Sequence, residues 1–388
     1  MRLQLSAGAA SRTSNESASL APQRGAVLAA ALALPGVVAA ETAPTQGLIG
    51  FKYLFYHDLQ PGLSRITVNS PSVYALLPMG SDWSVEGALV VDAISGATPR
   101  YHTAISGASR MHDSRTAGDF TLTRYLRRAA IDLGVAYSTE HDYKSTAGRA
   151  AVRLSSDDNN TTLALGAGLT SDTINPVNGA VVDEHKHVDD FLVGLTQVLS
   201  PADIAKVNVT YSRGRGYFSD PYKDLDNRPR VRNETAVLGE WNHSFGADSV
   251  LRSSYRYYTD TFGIKAHTLG LDFAQGVGGG WTVTPALRYY MQSAANFYFG
   301  PDYDPTLGAP FPRGYLTNPP VFSSEDQRLS AFGAITVGMQ VARRFGDWTV
   351  DARYDFYEQR GNWRIGGGSP GLDLFIAHFV QLGVSKRF

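Results

Sequence analysis

Apolar and polar residues alternate along most of this chain. From about residue 47 to the C-terminus they do so in segments of 9 to 15 residues, which turn-forming residues separate, and the pattern is clearest in 83–93, 131–138, 281–292 and 348–357. A soluble β-sandwich also alternates, but its strands are usually about 5–6 residues long. A membrane-spanning strand needs about 9–11. The pattern therefore predicts strands with one lipid-facing side and one lumen-facing side.

The connections between these segments are of two kinds. Short turns fall at 79–82, 127–128, 157–160, 200–203, 246–249, 278–280 and 346–347. They alternate with connections that are often longer, at 58–64, 95–115, 141–143, 173–186, 215–230, 261–264, 296–326 and 361–371. Short periplasmic turns and longer extracellular loops are typical of outer-membrane barrels. We therefore predict an all-β fold, a transmembrane antiparallel up-and-down β-barrel of about sixteen strands, with fourteen or eighteen left open.

The last segment ends at the chain terminus. It alternates from Leu372 to Phe388, and its apolar face includes Phe388 itself. A terminal strand that ends in Phe resembles the assembly signal of outer-membrane proteins, which the barrel-assembly machinery reads. We therefore place Phe388 on the lipid-facing side at the periplasmic rim and name that machinery as a partner during biogenesis.

The N-terminal region has the pattern of an export signal. Arg24 precedes the apolar run 26–40, and Val38-Ala39-Ala40 supplies small residues at the positions that a signal peptidase reads. We predict a signal peptide over 1–40, cleaved after Ala40, and one barrel domain over 41–388. The long polar stretch before Arg24 is explained most simply by a start codon assigned too early, and an N-terminal membrane anchor is the alternative.

Composition narrows the class further. The 388 residues carry a net charge of -1, and 18% of them are charged, against roughly 25% in ordinary soluble proteins. No segment after residue 40 has the roughly 20 consecutive apolar residues that a transmembrane helix needs. The absence of Cys rules out disulfides, thiolate metal sites and a lipoprotein anchor. The near-zero charge gives no basis for a nucleic-acid partner, and no cofactor is expected.

Several stretches resemble one protein family. They are 106–119 (SGASRMHDSRTAGD), 136–140 (AYSTE), 155–162 (SSDDNNTT), 211–214 (YSRG) and 219–223 (SDPYK). Together they resemble an uncharacterised bacterial outer-membrane family, domain of unknown function 3570, from about residue 45 onward. The resemblance implies a barrel in the outer membrane. It implies no reaction and no ligand.

Two loops contain candidate metal ligands. His185 and His187 are two residues apart, share a face on a strand, and suit zinc or copper. In the segment 219–227, Asp220, Asp224 and Asp226 offer the oxygen ligands that calcium prefers, although without the spacing of a helical calcium loop. For both loops the alternative interpretation is an ordinary solvated loop.

A third loop combines residue types used in hydrolysis. Residues 109–115 hold Ser109, His112 and Asp113 close together in sequence. A catalytic triad needs its members at hydrogen-bond distance in space, which adjacency in a loop does not supply. We expect no enzyme, and an outer-membrane hydrolase that uses these loop residues is the alternative.

The lumen face is predicted to carry charge of both signs. Isolated Arg side chains facing lipid near the midplane would cost about 2–4 kcal/mol, so the charged positions must face inward. The charged residues that alternation assigns to the lumen face are Glu86, Asp92, Asp132, Arg149, Arg153, Lys206, Arg232, Glu234, Glu240, Arg252, Arg256, Asp272, Arg288, Asp351, Arg353 and Asp355. Of these, Arg252, Arg256, Arg288 and Arg353 could form a positive lane for an anionic solute. The alternative is a wall of salt bridges that fills the lumen.

The longest loop, 296–326, is rich in aromatic residues and proline, so we expect it to be ordered and to fold over or into the mouth of the barrel. The predicted function is passive, porin-like passage of small polar or anionic solutes in the outer membrane of a Gram-negative bacterium. The alternatives are the hydrolase and a plugged barrel that acts as a structural or envelope-assembly partner. Outer-membrane lipid and lipopolysaccharide are expected partners, and a homo-oligomer is left open.

Overall fold

The described part of the chain forms a closed antiparallel barrel. The computed structural model describes residues 42–96 and 111–388, and sixteen of the strands in these ranges close into one barrel in which β18 pairs with β1. The barrel strands are β1 (Leu48–Gln60), β2 (Leu63–Met79), β3 (Trp83–Gly96), β4 (Met111–Leu126), β5 (Ala129–Thr139), β6 (Tyr143–Ser155), β7 (Thr161–Ile174), β8 (Glu184–Ser200), β9 (Asp203–Gly216), β10 (Val231–Ser244), β11 (Ser249–Asp260), β12 (Lys265–Gly278), β13 (Trp281–Gln292), β16 (Phe332–Phe345), β17 (Trp348–Arg360) and β18 (Phe375–Arg387).

The remaining elements lie in two loops. Between β13 and β16, the short strands β14 (Tyr303–Asp304) and β15 (Gly308–Pro312) pair with each other, and a 3-10 helix follows at Gln327–Leu329. A second 3-10 helix, Gly361–Trp363, follows β17. No helix in the described ranges is both long and apolar enough to cross a membrane. The predicted signal peptide and its cleavage after Ala40 lie outside the described residues and stay predictions.

The predicted alternation of connections is confirmed. Each of the seven predicted short turns joins two barrel strands, beginning with the turn between β2 and β3 and ending with the turn between β16 and β17. The longer connections all lie at the opposite end. The predicted count of sixteen strands is therefore confirmed, and we refer to the two ends as the periplasmic and the long-loop end.

The outer surface is apolar where the alternation predicts it. The outward side chains of Leu133, Val135 and Phe191 are 52–61% exposed. Four tryptophans lie outward near the periplasmic end, and these are Trp83, Trp241, Trp281 and Trp348. Such a row is the aromatic girdle that outer-membrane barrels place at a membrane interface.

The seam between the first and last strands ends at Phe388. Its carbonyl accepts a hydrogen bond from the Gly47 N–H at 2.8 Å, and its own N–H donates to the Gly47 carbonyl at 3.1 Å. Its side chain points outward and is 61% exposed. Strand β18 begins at Phe375 rather than at Leu372, because Gly371 takes a left-handed φ of 73° and interrupts the extended chain.

Candidate functional site: the capped mouth and the lumen

The long loop between β13 and β16 crosses the mouth of the barrel. Its last part, residues 323–330, is hereafter the mouth segment. Ser324, Asp326 and Ser330 in this segment are at most 1% exposed. At one side, the Gln292 side chain at the end of β13 donates to the carbonyls of Arg328 at 2.9 Å and Ser330 at 2.7 Å. The mouth segment is thus a buried, tied-down element and not a free loop.

Its other contacts reach opposite sides of the barrel. The side chain of Gln60, at the end of β1, donates to that of Gln327 at 3.3 Å. Ser323 pairs through its backbone with Asn227, in the loop between β9 and β10, at 2.8 and 2.9 Å. In the order of the sixteen strands, β1 and β9 are eight positions apart, so the mouth segment contacts elements that come from opposite sides of the barrel. The expectation that this loop folds over the mouth is therefore met by residues 323–330, whereas the tip of the β14–β15 hairpin is exposed.

A cluster of opposite charges holds the mouth segment to the β9–β10 loop. We call it the ionic cluster, and its members are Asp220, Lys223, Asp226, Arg228, Asp326 and Arg328. Arg228 donates to both Asp226 oxygens, at 2.7 and 2.6 Å, and to Asp326 at 2.9 Å. Arg328 binds both oxygens of Asp326 and donates to Asp220 at 2.8 Å. Hydrogen bonds between charged groups are stronger than those between neutral groups, especially when they are shielded from water.

Apolar packing and further loops support this cap. Leu329 packs in a buried cluster with Phe262, Ile264 and Ala295, which come from the β11–β12 and β13–β16 loops. On the far side, the Tyr222 hydroxyl donates to Asp142 at 3.0 Å and so connects the β9–β10 loop to the β5–β6 loop. Four loops, one of which contains the mouth segment, therefore form one cap over the long-loop end.

The charges of the ionic cluster determine how the cap responds to acid. Buried Asp326 loses water on folding, but Arg328, Lys223 and Arg228 more than offset that loss and hold the pKa of its carboxyl well below the usual range. The pKa of Asp220 is lowered in the same way, chiefly by Arg328. A carboxyl with a depressed folded pKa contributes stability that is complete above its unfolded pKa of about 3.9 and is lost as the pH falls through the lowered folded value.

We therefore expect the cap to stay closed from neutral to mildly acid pH. Single-channel conductance in planar bilayers should therefore not rise when the pH is lowered from 8 to 5, because the ionic cluster keeps its charges. Opening between pH 7 and pH 5 would contradict this role of Asp326, because its carboxylate remains charged throughout that range.

Below the cap, three of the four predicted lane arginines share one wall of the lumen. Arg252 and Arg256 lie on β11, and Arg288 lies on β13, with β12 between them. The Arg256 guanidinium lies 5.4 Å from the ring centre of Tyr258, and that of Arg288 lies 5.9 Å from the ring centre of Tyr290. We call these three residues the arginine wall. Arg353, on β17, instead holds Asp355 through two hydrogen bonds of 2.7 and 2.9 Å.

Salt-bridged pairs also line the lumen, as the alternative interpretation predicts. Basic and acidic side chains there pair across neighbouring strands, in the pairs Arg115–Asp92 at 2.9 Å, Arg153–Asp132 at 2.6 Å, Lys206–Glu240 at 3.3 Å and Arg232–Asp260 at 2.6 Å. The sequence left the positive lane and the salt-bridged wall as near-even interpretations. The structure contains the salt-bridged pairs, and Arg252 itself lies across the ladder from Asp272 on β12. The positive lane stays a prediction.

The candidate metal ligands do not come together as one site. His185 and His187 stack with ring centres 6.5 Å apart on the outer face of β8, and His185 lies 3.5 Å from Asp183. Asp220 and Asp226 bind arginines in the ionic cluster, while Asp224 is exposed. In residues 42–96 and 111–388, no three metal-ligating side chains of the His, Cys, Asp or Glu type are grouped for an ion.

The candidate catalytic loop falls largely outside the described residues. Ser109 lies outside them, and His112 and Asp113 are described only as backbone at the start of β4. The predicted hydrolase residues therefore stay untested.

The mouth segment lies largely within the loop that the sequence predicted to cover the mouth, but the sequence analysis did not predict the ionic cluster. No local signal pointed to it, because its members come from two loops 98 residues apart and the same loop also carries the exposed pair Asp302 and Arg313.

The closed barrel, its apolar exterior and its charged lumen define an outer-membrane β-barrel protein. Residues 101–191 and 181–378 match the model of a family described as protein of unknown function (DUF3570). These ranges cover well over half of the chain, and the protein belongs to this family. The resemblance noted in the sequence is thereby confirmed. Among curated proteins, no relative matches the chain.

Solved structures with a similar architecture are other outer-membrane barrels. The siderophore receptor PirA from Pseudomonas aeruginosa is 11% identical with a TM-score of 0.42, over 82% of this chain and 57% of that one. A bacterial polysaccharide outer membrane secretin is 8% identical with a TM-score of 0.48, over 88% and 98%. A Pseudomonas aeruginosa FadL homologue is 10% identical with a TM-score of 0.41, over 89% and 90%. The chain spans little more than half the length of PirA, and the likeness in all three cases is one of architecture.

Proposed function

We propose that this protein is a narrow channel of the Gram-negative outer membrane that lets small anionic solutes pass without covalent chemistry. The observation that carries the proposal is the arginine wall, Arg252, Arg256 and Arg288, on one side of the lumen. A sixteen-stranded barrel is wide enough to leave an aqueous channel. Charged side chains that line such a channel select the ions that pass.

The arrangement of charge across the lumen supports an anion path. Glu86 on β3 and Asp119 on β4 point inward, and β3 lies eight strands from β11 in the barrel order. The carboxylates of Glu86 and Asp119 therefore lie across the lumen from the arginine wall, on strands where Asp92 is paired with Arg115. In a narrow low-dielectric passage, opposed charges of this kind set up a transverse field that draws an anion toward the arginines.

The cap supports a small bore. The mouth segment is anchored on both sides of the barrel, by Gln60 and by Asn227, so a solute from outside has to pass around it. Selectivity would then arise in two steps, by size at the cap and by charge at the arginine wall.

Neutralising two residues of the arginine wall should abolish anion preference. In a salt gradient across a planar bilayer, we expect the chloride-to-potassium permeability ratio of the double variant R256Q/R288Q to fall from above 1 to about 1. The matched control is R124Q/R343Q, which removes the same charge from the outer surface, where Arg124 and Arg343 cover Trp83 and Trp281. Equal permeability ratios in the wild type and R256Q/R288Q would contradict the proposal.

The ionic cluster favours a second candidate, a barrel that is plugged in its resting state and serves as a structural or envelope-assembly partner. Its buried charges make the cap a stable closure. The two candidates differ in one measurement. A plugged wild-type barrel shows no conductance and gains it only when the ionic cluster is broken, whereas a narrow channel conducts as the wild type.

A further inference from the structure

Basic side chains face outward on β8 and β9 at the long-loop end. Lower on these strands the outward residues are apolar, with Val193, Phe191, Val209 and Tyr211 between 40 and 52% exposed. Beyond Tyr211, the next two outward positions of β9 are Arg213 and Arg215, both of them exposed. On β9 the lipid-facing surface thus changes from apolar to basic within one pair of residues, whereas on β8 Asp189 stands between Phe191 and His187.

Neighbouring strands extend this basic surface. His187 on β8 lies directly across from Arg215, and His185 lies two residues further out on the same face. Two strands away from β8, the exposed Lys144 of β6 lies across from Thr173 of β7, which in turn lies across from His185. We call Lys144, His185, His187, Arg213 and Arg215 the outer-rim basic patch.

The height of the patch places it in the headgroup layer. The aromatic residues Phe191 and Tyr211 lie across from each other, one outward position below Arg213. Aromatic residues of barrels gather at the membrane interface, and outward charges are costly near the midplane but almost free at the interface. Arg213 and Arg215 therefore lie where the headgroups of the outer leaflet begin.

Two other basic residues at this end of the barrel, Arg230 and Arg360, have acidic partners. Arg230 forms two hydrogen bonds with Glu184, at 2.6 and 2.7 Å, and Arg360 on β17 pairs with Glu358. Within residues 42–96 and 111–388, Arg213 and Arg215 have no carboxylate within ion-pair distance, although Asp189 is the neighbour of Arg213 across the ladder. Their guanidinium groups remain available to an external anion.

We propose that the outer-rim basic patch binds the phosphate groups of lipopolysaccharide in the outer leaflet. Guanidinium groups bind phosphate oxygens in pairs, and residues two apart on a strand place two of them about 7 Å apart, within reach of one phosphorylated sugar. The outward direction and the interfacial height fit a lipid and not a solute in the lumen. This inference depends on the outer-membrane location proposed above, but not on channel activity.

The test uses the full-length barrel extracted from outer membranes. Lipopolysaccharide that remains bound after detergent purification is quantified for the wild type, for R213Q/R215Q and for R124Q/R343Q, which removes two outward arginines near the periplasmic end. Heat-modifiable migration on gels confirms that each variant is folded. A binding titration then compares purified lipid A, the same lipid A after enzymatic dephosphorylation, and inorganic phosphate as a competitor.

We expect R213Q/R215Q to bind lipid A more weakly by on the order of tenfold, with R124Q/R343Q unchanged. Dephosphorylated lipid A should bind the wild type as weakly as intact lipid A binds the variant, and inorganic phosphate should not compete at equal concentration. Wild-type retention by R213Q/R215Q, or an equal loss in R124Q/R343Q, would overturn the proposal, as would effective competition by inorganic phosphate. Because R213Q/R215Q should keep the wild-type permeability ratio, a failure of the patch and a failure of the anion channel give different results.

Discussion

An Asp326→Asn variant should conduct several times more current than the wild type. Asp326 is 1% exposed and is the carboxylate that Arg228 and Arg328 share. Without this carboxylate, the positive charges of two guanidinium groups and of nearby Lys223 are buried with too few negative charges to compensate them. Breaking a buried ion pair from one side destabilises a structure by about 3–5 kcal/mol. We expect the mouth segment to detach, and single-channel recordings in planar bilayers would measure the result.

A control in the same loop separates the ionic cluster from a general effect of the substitution. Asp302 also pairs with an arginine, Arg313, but both side chains are well exposed, at 72% and 65%. Exposed pairs of this kind contribute about 0–1 kcal/mol. Asp302→Asn should therefore leave conductance unchanged. If Asp326→Asn also conducts like the wild type and resists protease as well as the wild type does, then the ionic cluster does not hold the cap closed.

Deleting Phe388 should prevent most of the protein from reaching the folded barrel state. The residue forms the last two backbone hydrogen bonds of the β1–β18 seam, both with Gly47. It also carries the terminal aromatic side chain that we expect the barrel-assembly machinery to read. The amount of heat-modifiable, surface-exposed protein in outer membranes would measure the effect.

Two further variants separate recognition from packing at this seam. Phe388→Tyr keeps an aromatic terminus and should assemble normally. A Cβ on Gly47 would lie 2.7 Å from the Phe388 ring, so Gly47→Val displaces the ring without removing it. We expect Gly47→Val to assemble with a modest loss of stability. Normal surface assembly of the Phe388 deletion would contradict the assigned role of the terminal residue.

The barrel itself could be predicted from the sequence because its determinants are local. A strand with lipid on one side and water on the other must alternate, so the faces of Arg252, Arg288 and Asp132 followed from parity alone. The short turns are equally local, since residues such as Gly278 and Gly346 adopt a left-handed φ there. Alternation misplaced the start of the last strand, because Leu372 continues the pattern but lies in the loop, where it packs against a buried cluster of barrel residues.

The cap could not be predicted in the same way. Arg228 and Asp326 are 98 residues apart in sequence, and Gln60 and Gln327 are 267 apart. Such contacts depend on which loops face each other once the barrel has closed, and no local pattern encodes that. The ion pairs of the lumen were also not predictable, because alternation shows that a charge points inward but not whether a partner stands beside it. The pairs Lys206–Glu240 and Arg232–Asp260, for example, depend on the register between neighbouring strands.

The reversal potential of the wild-type barrel in a potassium chloride gradient tests the proposed function most directly. The measurement needs only purified protein in a planar bilayer and reports both whether the lumen conducts and which ion it prefers. We predict a small conductance with chloride favoured over potassium, because the arginine wall lines the path beneath a cap that narrows the mouth. A large conductance that favours potassium would contradict both the narrow bore and the anion path.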